Sequence, residues 1–148
     1  MIIAATSDLH LPKNYPEFMS ALDRMKHRPD LFLIAGDVVQ QSDMSQYDKF
    51  YNLIFGKFSC PVFACFGNNE FGKLRDELKT KYRDIKFLDD EAGIVTIGGQ
   101  DVGVFGTTGS LDNPTPWQEA NIPNIENVYK QRVEVVDNVL KRDRKSVV

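Results

Sequence analysis

Three short apolar runs, each followed at once by a polar cluster, constrain this chain more than any other feature. Ile2-Ile3-Ala4-Ala5 leads to Asp8-Leu9-His10, and Leu31-Phe32-Leu33-Ile34-Ala35 leads to Gly36-Asp37. Val62-Phe63-Ala64-Cys65-Phe66 leads to Gly67-Asn68-Asn69-Glu70. Runs of this kind, rich in β-branched and aromatic residues and separated by helix-length segments, read as buried parallel strands. The polar clusters then fall at the carboxyl ends of those strands, the rim where open α/β sheets bind their ligands. Two Asp, one His and one Asn converging on one rim form a mixed oxygen and nitrogen set suited to a metal ion.

The segments between the runs carry helical spacing. Pro16 can start a helix whose apolar face is Phe18, Ala21, Leu22 and Met25, with Pro29 ending it. Ser42 is a candidate cap for a second helix with Met44, Tyr47, Tyr51 and Ile54 on one face, stopped by Gly56. A third follows Asn68-Asn69 and carries Phe71, Leu74, Leu78 and Tyr82. From Ile85 the grammar changes. Residues 85–88 read as a short strand, and 93–97 and 102–105 as a hairpin turning through Gly98-Gly99-Gln100-Asp101. Residues 107–123, rich in Gly, Pro, Asn and Thr, read as a long loop. A last helix over 124–142 offers Ile125, Val128, Val133, Val136, Val139 and Leu140 to a core, and Lys145-Ser146-Val147-Val148 resembles the start of another strand. The fold class expected is α/β, in one domain spanning residues 1–148.

Composition narrows the function classes. With 42% hydrophobic and 26% charged residues, the chain is an ordinary globular one. A net charge of −3 argues against nucleic-acid binding by general electrostatics, while leaving a phosphorylated small substrate open if bound cations invert the local field. No run approaches the roughly 18 apolar residues of a membrane span, and the amino-terminal run is too short for a signal peptide. Cys60 and Cys65 are too close on an extended segment to pair, so two reduced thiols and a cytoplasmic location are expected, with Cys65 in the core.

Asp8 and His10, at i and i+2 on an extended chain, point to one side and can share a metal. Asp37 arrives from a neighbouring strand end with two carboxylate oxygens that could bridge two cations, and Asn68 can add a neutral amide oxygen. Singly, each of these residues reads as a cap or turn former. After three successive strands, they read together as a site.

The series Asp8-x-His10, Gly36-Asp37 and Gly67-Asn68-x-Glu70 resembles the calcineurin-like metallophosphoesterases, and the order of strand, hairpin and loop through Gly106-Thr107-Thr108-Gly109 is similar to that family too. The resemblance implies a sandwich of two facing sheets flanked by helices, with two divalent metal ions (Mn, Fe or Zn). It implies that Asp8 and His10 bind the first metal, Asp37 bridges both and Asn68 binds the second. It further implies hydrolysis of a phosphomonoester or phosphodiester by a metal-bridging hydroxide.

Two departures from the family pattern stand out. Asn69 occupies the position of a His that assists the leaving group, and an amide can donate a hydrogen bond but cannot act as a general acid near pH 7. The family also takes three further His ligands from its carboxyl-terminal half, whereas this chain has only His10 and His27, the latter beside Lys26 and Arg28 at a helix end. The expectation is the amino-terminal part of a longer enzyme, or a naturally short product, incomplete at its C-terminus. A half-built sandwich of this kind would leave a sheet face and a strand edge open, which predicts a homo-oligomer. The second hypothesis is a catalytically silent member of the family that serves as a protein-binding scaffold, a reading favoured by Asn69 and the missing His residues and disfavoured by the retained ligand set.

Three further signals carry less. Gly103-x-x-Gly106-x-x-Gly109 opens a loop and not a helix, so it reads as turn chemistry and not as a dinucleotide fingerprint. Trp117 reads first as an anchor of its loop and second as a stacking surface for a base or sugar. The basic run at residues 141–145 reads as a solvated helix end.

Overall fold

The computed structural model describes residues 1–40, 43–70 and 72–145. Strands β1 (Ile3–Thr6), β2 (Leu31–Ala35), β3 (Val62–Cys65) and β4 (Ile85–Leu88) form one parallel sheet in the order β1-β2-β3-β4. Each step is a crossover through one helix: α1 (Tyr15–Asp23), α2 (Met44–Lys57) and α3 (Lys73–Lys81). A strand order that advances one place at a time, with crossovers of one hand, puts all three helices on one face. Their buried residues Phe18, Leu22, Tyr47, Phe50, Ile54, Leu74 and Leu78 share one core with Phe32, Ile34, Val62, Ala64, Ile85 and Phe87 of the sheet. Aromatic rings fill much of that layer, with Phe66 stacked on Phe87 and Tyr47 on Tyr82 at centroid distances of 5.2 and 4.9 Å.

The other face is covered by an antiparallel hairpin, β5 (Glu91–Ile97) and β6 (Gln100–Gly106). Val95, Ile97 and Val104 pack there against Leu31, Leu33, Phe63 and Leu88. The turn is Gly98-Gly99 alone, at φ of 58° and 82°, with Ile97 opposite Gln100. Positive φ at both central positions is what a tight hairpin demands, so the strands run further into the turn than hydrophobic alternation suggested. Gly103 and Gly106 are accordingly strand residues and not turn residues. Gly106 is buried because the hairpin crosses β4 so closely that a Cβ there would stand 2.5 Å from the Leu88 Cβ.

Several boundaries differ from the periodic reading. The first helix starts at Tyr15, carries Pro16 in its first turn, leaves Ala21 exposed and ends well before Pro29. The cap of α2 is Asp43, whose carboxylate accepts from the Ser45 and Gln46 N–H groups, and the helix runs through Gly56 to Lys57. Ser42 and Phe71 lie outside the described residues. The long loop is broken by a short helix, α4 (Pro116–Asn121). It is held by a reciprocal capping box between Thr115 and Gln118, with Pro at its start. The last helix, α5 (Ile125–Lys145), takes in Lys145, and residues 146–148, where a further strand was expected, lie outside the described residues. It buries Ile125 and Tyr129 and leaves Val133 and Leu140 more than half exposed.

Among the described residues, strand β1 has β2 as its one neighbour in the sheet, and Ile2 and Ile3 beside its outer edge are exposed. Cys60 and Cys65 are free, half-buried thiols, and burial pushes both above the usual thiol range. Among the described residues, no helix is long and apolar enough to cross a membrane.

Replacing Gly106 with Ala tests the close crossing of hairpin and sheet. The added methyl has backbone and Leu88 in its way, so the expected loss is about 1–3 kcal/mol in urea unfolding, the usual cost of overpacking.

Candidate metal centre

Beyond the ends of β1 and β2 the two chains stay zipped together. The Asp8, His10 and Leu11 N–H groups donate to the carbonyls of Gly36, Asp37 and Val38 at 3.2, 3.0 and 2.9 Å, and Gln40 N–H donates back to the Leu11 carbonyl. This pairing buries Leu9 and Leu11 on one side and delivers Asp8 and His10 beside Asp37 on the other. Asp8, His10 and Asp37 each offer a ligand atom, and these atoms lie within 4.8 Å of one another. The backbone that does this is not extended, as i, i+2 spacing on a strand had suggested. All three residues sit in the left-handed region, at φ of 51°, 46° and 51°. Asp and His tolerate that region better than most residues, at a conformational cost of about 1–3 kcal/mol each.

A third loop, from β3, is drawn onto the second by two contacts. Gly36, at φ 73°, lies so close to Gly67 that a Cβ on it would stand 2.4 Å from the Gly67 nitrogen. A Cβ on Gly67 would stand 2.5 Å from the Asp37 carboxylate. The two glycines are therefore required by backbone approach. The buried carboxylate of Glu70 then ties the loops. Its Oε2 accepts from the Asp37 and Gly67 N–H groups, both at 2.8 Å, and its Oε1 accepts from Val38 N–H at 2.9 Å. Burial pushes the Glu70 carboxyl above its ordinary value, opposed by these three N–H donors, while the nearby Asp37 charge adds to the upward push.

Asn69 completes the setting of Asp37. Its backbone N–H and its side-chain Nδ2 both donate to Asp37 Oδ1, at 2.7 and 2.9 Å. A carboxylate oxygen offers about two lone-pair sites. Oδ1 thus takes both Asn69 donors, while no such bond falls on Oδ2 among the described residues. Asn68, the preceding residue, is exposed and opens onto a cavity shared with Arg75 and Trp117. His27 is exposed and follows the end of α1.

Three residues with structural parts in this rim had been given no role in the sequence. Glu70 was part of the motif, but nothing local in the sequence says that it reaches back to residues 37 and 38. Arg75 on α3 donates to the Glu70 carbonyl at 2.8 Å, to both Asp89 oxygens at 2.8 and 3.0 Å, and to the Thr108 hydroxyl at 3.2 Å. Arg132 on α5 donates to Asp90 at 2.7 Å and to the Gly109 carbonyl at 2.9 Å. Asp89-Asp90 directly follows β4, so it is a fourth polar cluster behind a fourth apolar run, and the pattern that found the other three would have found it.

A hard or borderline divalent cation fits the donor chemistry of two carboxylates and one imidazole. A parallel α/β sheet with such a cluster at its carboxyl rim defines a protein with a candidate divalent-metal centre at the strand ends. The comparison with known families agrees: a model of the calcineurin-like phosphoesterases matches residues 1–146. The chain belongs to that family. No curated protein matches it.

Glu70→Gln tests the tie between the loops. An amide can present only one oxygen, so one of the three backbone N–H groups would face an NH2. The expected loss is about 1–3 kcal/mol in denaturant unfolding, the cost of an unsatisfied buried donor.

Proposed function

We propose that this protein is a cytoplasmic, metal-dependent phosphoesterase that hydrolyses small phosphomonoesters or phosphodiesters, using two divalent cations drawn from Mn, Fe and Zn. The observation that carries the reading is the Asp8, His10 and Asp37 cluster in a chain of the calcineurin-like phosphoesterase family. Asp8 and His10 would hold the first cation, Asp37 would serve both, and Asn68 would serve the second. When bound, the cations supply the Lewis acidity that activates water and neutralises charge on the phosphoryl oxygens.

The chain's own residues then have definable tasks. Glu70 holds the second and third loops in register, and Asn69 orients Asp37. Attack of water on phosphorus breaks the ester P–O bond, and the departing oxygen needs a proton or a stable negative charge. Asn69 can give it a hydrogen bond but not a proton, so the activity should favour leaving groups that are already good.

Bound Mn²⁺ per chain, measured with hydrolysis of p-nitrophenyl phosphate and bis-p-nitrophenyl phosphate, tests the reading. Two ions and turnover are expected. Asp37→Ala should abolish both, and Asn69→Ala should lower metal affinity or activity by about 10–100-fold, as for loss of an outer partner of a ligand. Metal binding without turnover on either ester would favour the silent scaffold instead. Asn69→His, which also gives up the amide bond to Asp37, should raise the rate on alkyl phosphates relative to nitrophenyl esters by about tenfold or more; an unchanged ratio would remove the leaving-group argument.

We also propose association of this chain with a second copy through the open side of β1, where Ile2 and Ile3 are 43% and 45% exposed. Light scattering should show a dimer or higher assembly that Ile3→Lys returns to monomer. A monomer at high concentration before mutation would overturn it.

A further inference from the structure

Beside the metal rim, and sharing Asn68 with it, lies a cavity of about 240 Å³. Its other walls come from α3, from the segment after β6, from α4 and from α5, including Arg75, Thr108, Trp117, Tyr129 and Arg132. We infer that this cavity receives the organic part of the ester, and that the group it takes is compact, planar and uncharged. The inference rests on the phosphoesterase reading and deepens it by naming the class of substrate.

Position comes first. A phosphoester bound at the rim must place its organic group somewhere adjoining the cations, and Asn68 belongs both to the rim loop and to this cavity. Size comes second. At about 240 Å³ the space is smaller than the ~300–1,000 Å³ that drug-sized ligands occupy, and it suits one or two fused rings. Surface chemistry comes third. Trp117 is about half exposed here, and with Tyr129, Ile122 and Ile125 it gives the cavity a largely apolar, aromatic lining. Thr108, Asn68 and Gln118 supply a few polar groups for orientation.

Charge decides against a polyanionic ligand. Among the described residues lining the cavity, the charged ones are Arg75 and Arg132. Left alone, two arginines would make a pocket for a second phosphate. Each is instead paired with a carboxylate, Arg75 with Asp89 at 2.8 Å and Arg132 with Asp90 at 2.7 Å. Both are also engaged with oxygens of the 107–109 segment, through the Thr108 hydroxyl and the Gly109 carbonyl. The guanidinium groups thereby hold the cavity wall in place with their charge balanced, and a nearly neutral pocket selects a neutral group.

Trp117 is the single tryptophan of the chain, so its fluorescence reports on the cavity independently of turnover. With the full chain equilibrated with Mn²⁺, phenylphosphonate should shift Trp117 emission saturably, at a concentration about tenfold below that needed for methylphosphonate. Ile122→Phe, which fills the space, should bring the two ligands together. Equal affinities in the unmutated protein with Mn²⁺ bound would overturn the inference and leave the phosphoesterase reading intact. Tighter binding of methylenediphosphonate than of phenylphosphonate, lost in Ile122→Phe, would also overturn it, because the arginines would then be reading a second phosphoryl group. If no Mn²⁺ binds, the phosphoesterase reading fails by itself, and benzyl alcohol decides the cavity: a saturable Trp117 response supports it and no response overturns it.

Discussion

The rim of this protein depends on one buried carboxylate. Glu70 accepts three backbone N–H groups from two loops that leave adjacent strands, and by doing so it fixes where Asp37 stands. The arrangement is a closed set of necessities. The Asp37, Val38 and Gly67 N–H groups lie where strand pairing has ended, and buried backbone donors need partners. One carboxylate supplies all three, with charge-assisted bonds that offset much of the cost of desolvating it. Gly36 and Gly67 are there because only backbones without Cβ atoms can come close enough for one carboxylate to span both loops.

Why one set of carboxylates is open to a cation and another is not follows from their neighbours. Asp8 and Asp37 stand with His10 at the ends of β1 and β2, and the ion pair found there among the described residues is that of Asp8 with His10, at 3.8 Å. Asp89 and Asp90, at the end of β4, each hold an arginine below 3 Å. The first set keeps an excess of negative charge on the rim. The second is neutralised, and its energy goes into fastening the 107–109 segment and α5 onto the sheet. One repeated sequence device, acids directly after a parallel strand, thus serves two purposes, and the position of arginines on α3 and α5 separates them.

Much of this was legible in the chain because strand-end chemistry is local. The three polar clusters lie beside the runs that position them, and the hairpin and the apolar faces of α2 and α3 follow from spacing of two and of three to four. What escaped was non-local or too short for periodicity to register. The reach of Glu70 to residues 37 and 38 spans separate loops, and the pairing of Arg132 with Asp90 spans a hairpin and a helix. Helix α4, with six residues, has no apolar period, and its Thr-Pro-x-Gln start was the sole signal it carried. The left-handed backbone at Asp8 and His10 could not be read from residues that suit an extended strand end equally well.

That backbone bears on whether the site is used. Asp8, His10 and Asp37 are the three members of the cluster, and each is held at positive φ. Two other described non-glycine residues share that conformation, Asp90 and Asn124. The first is a partner of Arg132, and the second precedes α5 with its carbonyl accepting from Asn127 and Val128. Those two are explained by the contacts they make. At the cluster, the strain brings two carboxylates and an imidazole together and leaves their repulsion unrelieved by any arginine or lysine among the described partners. A fold kept only as a surface for other proteins gains nothing from that arrangement, and a substitution to residues at ease in extended backbone would relieve both costs. A divalent cation supplies the missing attraction, so the strained, anionic rim supports a site built to hold metal.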